Sequence, residues 1–269
     1  MATINGPFDF KGSIGNTRCY WDPGTKKWIY GKKGGYDKNQ FETLGSLEPQ
    51  RENTSDFGGR SKWGSLLYQS LTSIHQLMDS RCWGKIMAGG KIIQRQDKIS
   101  PKGLHKIEVG KDLQAIAKIE FNEPHPLRSV IRDCYAISFL PDKKTTTLTI
   151  PGFVTNNDAW WITKYYAVRL YLVIAQISDM NYNKENKKWE PVVDGLELLS
   201  KKTVTGWMCY NSTPQDVFLS VSLEEPAFSL PGTAVVVALG VEFSLTSNEG
   251  QPYALPRNGS VKIVGCYNQ

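Results

Sequence analysis

Two apolar runs constrain this chain more than any other feature. Residues 168–177 read VRLYLVIAQI and residues 235–243 read VVVALGVEF. Both fall far short of the ~20 apolar residues that span a bilayer. They have the length of strands, and they are apolar enough to be central in a sheet. The chain around them suits that reading. From Leu104 onward the apolar period is 2, or the apolar runs are short. The sequence predicts strands at 104–109, 113–121, 133–139, 145–150, 166–176, 201–209, 217–223, 233–245 and 261–267. Turn signals rich in Asn, Asp, Pro and Gly separate them at 122–126, 141–142, 155–158, 181–186, 211–214, 225–226 and 247–252. Many evenly spaced strands with no helix between them predict an antiparallel β-sandwich, Ig-like or jelly-roll-like.

The stretch 51–99 is different. Apolar residues at 63, 66, 67, 71, 74, 77 and 78 make the stripe of an amphipathic helix over about 62–79, with Ser61 as its N-cap. Asp79-Ser80 caps a second helix, whose stripe runs Trp83, Ile86, Met87, Gly90, Ile93. Gly89-Gly90 costs about 1 kcal/mol per glycine in helix propensity, which implies that another backbone packs close there. Residues 37–60 read as irregular, with Pro49 blocking a regular element. Before them, Asp22-Pro23-Gly24-Thr25 between aromatic-rich runs predicts a hairpin with strands at 14–21 and 27–32. The expected organisation is mainly β in three segments. These are an N-terminal β-hairpin and Gly-rich arm (1–60), two basic amphipathic helices (61–103) and the sandwich (104–269).

Charge is uneven. The 269-residue chain carries a net +6, yet residues 60–111 hold ten Lys or Arg against three acids, which is +7. Lys62, Arg81, Lys85, Lys91, Arg95 and Lys98 fall mainly on the polar sides of the helices. They form either a solvated face or a track for phosphates.

Chemical motifs are scarce. The five cysteines (19, 82, 134, 209, 266) are widely spaced and odd in number, so free thiols are expected rather than a zinc site or a disulfide framework. His75, His105 and His125 show no HxH or HExxH spacing. There is no GxSxG, and no GxxxxGK[ST] near Gly34-Gly35. Glu224-Glu225 would point to opposite sides of a strand and cannot act as a glycosidase pair. No catalytic residue, metal or cofactor is expected. Trp160, Trp161, Tyr165 and Tyr166 cluster in a loop entering a strand. They suit sugar stacking, a protein interface or core packing. The N-terminus has no basic n-region or apolar h-region. A cytoplasmic protein is the default expectation, with signal-less export or release by lysis as alternatives.

Several of these residues resemble an uncharacterised protein family of Bacteroidota. The likeness runs from Ile14-Gly15-Asn16 and Lys33-Gly34-Gly35 through Arg51-Glu52-Asn53 and Asp56-Phe57-Gly58. It continues at Asp79-Ser80-Arg81 and Lys102-Gly103-Leu104. It closes at 238–243 (ALGVEF), Tyr253-Ala254-Leu255 and Asn258-Gly259. It covers nearly the whole chain, with RENxxEFG and LGVEF as its specific elements. Asp56 stands where the family usually has Glu. The resemblance implies a shared fold and no transferable activity.

Arg51, Glu52, Asp56 and Arg60 alternate in sign around Phe57-Gly58-Gly59, with Asn53 in the same stretch. They are expected to form a charge-paired turn locking helices to sandwich. The functional expectation is a non-enzymatic structural or assembly protein. It would contact other chains, including copies of itself, through β-edges and the N-terminal arm. The alternatives are a carbohydrate-binding module using the Trp/Tyr loop, and nucleic-acid binding through the basic helices.

Overall fold

A computed structural model describes residues 3–4, 10–131, 135–140, 144–158, 165–209, 213–223, 230–246 and 250–268. The chain forms two compact units, Met1–Arg51 and Glu52–Gln269. This differs from the expected division at 60 and 103, because the helices share a core with the strands.

The first unit contains β1 (Thr3–Ile4), β2 (Phe10–Ile14), β3 (Thr17–Asp22), β4 (Lys27–Lys32) and the short helix α1 (Lys38–Thr43). The strands pair antiparallel in that order, so the expected hairpin belongs to a four-stranded meander. Its β3–β4 turn is held by Asp22. The carboxylate accepts from the Gly24 N–H at 3.0 Å and the Thr25 hydroxyl at 2.6 Å. After α1, the Arg51 guanidinium donates to the carbonyls of Phe41 and Leu44 at 2.7 and 2.9 Å.

The chain then enters α2 (Glu48–Ser70), a 3-10 turn (Thr72–Leu77) and α3 (Cys82–Gln94). The expected turn over Arg51, Glu52, Asn53, Asp56, Phe57, Gly58 and Arg60 is therefore corrected: these residues are helical. Pro49 does not block the helix. It sits in the first turn, where its missing N–H has no intrahelical acceptor to lose. The helix starts earlier than the apolar stripe suggested, and its buried residues begin with a glycine: Gly59, then Trp63, Gly64, Leu67 and Ser70. At Gly89 and Gly90 the close neighbours are side chains rather than backbone. A Cβ would meet Ile119 Cδ1 at 2.8 Å and the Trp63 ring at 3.0 Å, respectively.

The remaining elements are α4 (Leu113–Ala117), β5 (Ala136–Phe139), β6 (Thr145–Phe153), α5 (Thr155–Asp158), β7 (Ala167–Ser178), β8 (Met180–Asn183), β9 (Lys188–Pro191), β10 (Lys201–Val204), β11 (Met208–Cys209), β12 (Gln215–Ser222), β13 (Thr233–Thr246) and β14 (Pro252–Tyr267). Two expected strands are absent. Residues 104–109 make only a bridge from Ile107 to Met180, and 113–117 form a helix capped by Asp112. The β8–β9 hairpin was not expected.

The antiparallel sandwich itself is present. One sheet runs β10-β7-β13-β14, with β11 also on β7, and the other runs β12-β6-β5. Period 2 assigns each side chain of the first sheet to one of two cores. Leu170, Leu172 and Ile174 of β7 and Val237, Leu239 and Val241 of β13 face the second sheet, against Leu148, Ile150 and Leu219. Tyr171, Val173 and Ala175 alternate to the other side with Val236 and Ala238. There they meet Trp63, Leu67, Ile74, Leu77, Ile86 and Ile116 of the helical layer. The unit is thus layered helix, sheet, sheet. Its middle sheet is buried on both faces, which is why β7 and β13 are almost uninterrupted apolar sequence.

Candidate functional site

Two surfaces stand out, one in each unit. In the first unit, register separates the side chains of the meander by face. Trp21 pairs with Trp28 and Cys19 with both Tyr30 and Gly12. Directly opposed residues share a face, so Phe10, Ile14, Trp21, Trp28 and Tyr30 lie together. Trp21, Trp28 and Tyr30 are 45%, 48% and 54% exposed. Their rings do not form a flat platform. Trp21 and Trp28 stand at 66° with centroids 5.7 Å apart, and Phe10 and Tyr30 at 78° and 6.3 Å. The opposite face carries Lys11, Lys27 and Arg18, the last over the Tyr20 ring at 4.8 Å. The rings of Trp21, Trp28 and Tyr30 thus share one face, on which Lys32 also falls opposite Thr17, while Lys11, Arg18 and Lys27 lie on the other face with Tyr20 and Ile29.

In the second unit, α2, α3 and the loop after α3 enclose an open cleft of roughly 610 Å³. Arg60 reaches it from α2, Lys91 and Arg95 from consecutive turns of α3, and Lys98 and Lys102 from the loop. The loop is pinned back by two carboxylates. Asp97 accepts from the N–H groups of Ile99, Ser100 and Lys106 at 3.0, 3.1 and 2.8 Å. Burial pushes its pKa up, but these bonds and one from the Ser100 hydroxyl outweigh it and hold the carboxyl well below its ordinary value. Asp56 accepts the His105 N–H at 3.0 Å and faces His105 Nδ1 at 2.7 Å. The Gln94 amide bridges the carbonyls of Asp56 and His105 at 3.2 and 2.8 Å. Burial lowers the Arg60 pKa; the Asp56 charge opposes that and the nearby Arg95 charge adds to it.

The expected basic face is thereby divided. All six of its cations are exposed, but only Lys91, Arg95 and Lys98 line the cleft. Arg81 lies 3.9 Å from Glu123, and the charge of Lys62 bears on Glu190. The expected turn residues also divide. Asn53, Asp56 and Arg60 reach the cleft, Arg51 serves the first unit, and Phe57 is an exposed ring beneath the Arg60 guanidinium at 5.7 Å. Sequence reasoning missed His105, Lys102 and Asp97 as cleft residues. The sequence signal for Asp97 is an Asx-type turn at Asp97–Ser100.

Of the aromatic cluster, Trp160 and Trp161 lie outside the described residues. Tyr165 and Tyr166 are half-buried, and Tyr165 packs on Phe243 at 5.3 Å. The LGVEF element has a structural role. Glu242 is 2% exposed and accepts from Arg169 Nε at 2.5 Å and the Tyr171 hydroxyl at 2.7 Å. Burial first, and then Glu242, push the Tyr171 pKa up. Cys19, Cys82, Cys209 and Cys266 are free thiols, and Cys134 is outside the described residues. No described helix is long and apolar enough to cross a membrane.

The chain matches no family model, no curated protein and no solved structure.

Proposed function

We propose that this is a non-enzymatic assembly protein that pairs with a second copy of itself through the aromatic face of its N-terminal sheet. The observation that carries the reading is the exposure of Trp21, Trp28 and Tyr30 on one side of β3 and β4. Burying such rings is worth more per residue than burying any other side chain. Within Met1–Arg51, the described buried hydrophobic residues are only Cys19 and Leu47. So small a core leaves a unit of this size marginal without a further partner.

A second copy suits the chemistry of the face. Of the cations in β2, β3 and β4, Lys11, Arg18 and Lys27 project from the other side and would not repel across a paired interface; Lys32 alone shares the aromatic face, at the end of β4 away from Trp28. Rings at steep mutual angles leave ridges that interdigitate with like ridges. A sugar would need a flat ring to lie on. The open edge of β4 is a poorer contact, because Lys27 and Lys32 blunt it against strand addition. Membership of the Bacteroidota family that the motifs resemble is part of the same proposal.

Light scattering on a sizing column at tens of micromolar tests the reading. The full chain elutes as a dimer, and Trp28→Lys or Tyr30→Lys elutes as a monomer with unchanged circular dichroism. A wild-type monomer, or dimers indifferent to both substitutions, overturns it.

A further inference from the structure

The cleft between α2, α3 and the following loop gathers cations that the protein does not neutralise. Arg60, Lys91, Arg95, Lys98 and Lys102 make no ion pair among the described residues. Against these five stand Asp56 and Asp97, so His105 aside the lining carries 5 − 2 = +3. Neither acid forms an ion pair with these cations, although the Asp56 charge bears on Arg60. Both oxygens of Asp97 are taken by backbone N–H groups, and both of Asp56 by His105. The Lys98 ammonium donates to the Arg95 carbonyl at 2.6 Å and keeps two N–H bonds free. The Arg60 Nε is buried and has no hydrogen-bond partner among the described residues, so what this half-buried side chain offers the cleft is its terminal nitrogens.

We propose that this cleft is a binding site for a compact ligand carrying at least two linked phosphate groups, held between Arg60 on one side and Lys91 and Arg95 on the other. A single phosphate brings about −1.5 to −2 charges near neutral pH, so two linked groups match the lining where one does not. Two guanidiniums give the planar forks that grip phosphate oxygens in pairs, and three ammoniums supply point charges around them. The walls are already set: Gln94, Asp56 and His105 are hydrogen-bonded to one another, so little order need be gained on binding. A compact ligand suits the site better than a long strand, because the basic residues do not continue as a track. Arg81 lies beside Glu123 and Lys62 near Glu190, both away from the cleft. The proposal is independent of the N-terminal sheet and shares no residue with it.

Isothermal titration of the full chain at low salt tests this, using inorganic tripolyphosphate, pyrophosphate, orthophosphate and a thymidine oligonucleotide. The expected result is one saturable site for tripolyphosphate and pyrophosphate, with orthophosphate at least about tenfold weaker. Arg60→Gln weakens tripolyphosphate by about tenfold or more, the scale of a lost charged hydrogen bond. The exposed double variant Lys91→Gln/Arg95→Gln does the same without disturbing a buried group. Lys62→Gln and Arg81→Gln stay within about twofold, as surface charges do. Three results overturn the proposal: no saturable binding, equal losses in the cleft and control variants, or an oligonucleotide that outcompetes tripolyphosphate at equal phosphate concentration.

Discussion

The indole of Trp189 occupies the space above Gly59: a Cβ there would meet three ring carbons at 2.7, 2.8 and 2.9 Å. This contact gives the glycine pair after Phe57 a physical reason. Gly59→Ala forces a rigid ring to move, an overpacking cost of about 1–3 kcal/mol. The better helix propensity of alanine returns up to about 1 kcal/mol. A net loss of about 1–2 kcal/mol is expected from urea midpoints. An unchanged or raised midpoint contradicts the contact.

Asn122 ties three segments together from a position 3% exposed. Its amide donates to the carbonyls of Leu77 and Gly259 at 2.7 and 3.2 Å, and its carbonyl accepts the Val261 N–H at 2.9 Å. Asn122→Ala leaves buried backbone groups without partners and should cost about 3 kcal/mol. The denaturation midpoint should fall with no change in slope.

The Arg169–Glu242 pair should respond unequally to removal of its two members. Arg169 is 28% exposed at its side chain and stacks on Trp207 at 4.3 Å, whereas the Glu242 side chain is 2% exposed. Arg169→Met strands a buried carboxylate and should cost about 3–5 kcal/mol. Glu242→Met leaves a cation that can reach water and should cost less. The double variant should recover much of the Arg169→Met loss. Additive costs in the cycle would show that the two groups are not coupled.

Asp97 should make stability sensitive to acid. Its folded carboxyl lies below the unfolded value, so its contribution is whole at neutral pH and begins to fade as pH falls through about 4. Asp97→Asn should therefore be less stable than wild type near pH 6, with the gap narrowing on titration toward about pH 3. A gap that stays constant across that range rules out this role.

The sequence revealed most where packing is local or periodic. β4 lies at 27–32 as expected, and β7 and β13 differ from expectation by one or two residues at their ends. Their signal is a nearly unbroken apolar run, which needs no knowledge of a distant partner. The start of α2 was missed because its first buried residue is a glycine, Gly59, matched to Trp189, a partner about 130 positions away. Apolar periodicity cannot register a contact made by the absence of a side chain. The cleft was half visible: Lys91, Arg95 and Lys98 stand out by charge. The loop that brings in Lys102 and His105 depends on Asp97 and Asp56 capturing distant N–H groups. The aromatic face of the meander needed the cross-strand register, which brings Trp21 opposite Trp28.

The doubly buried middle sheet also governs the order in which this chain can become stable during synthesis. Within the larger unit the helical layer is made before the surface that it packs on, which comes from β7, β13 and Val261 and Ile263 of β14. Until those strands are made, Trp63, Leu67, Ile74 and Leu77 have only the other helices to pack on. The growing chain therefore carries an incompletely covered apolar face until β14 is complete. Removing residues 258–269, and with them most of β14, should leave the helices without a seat.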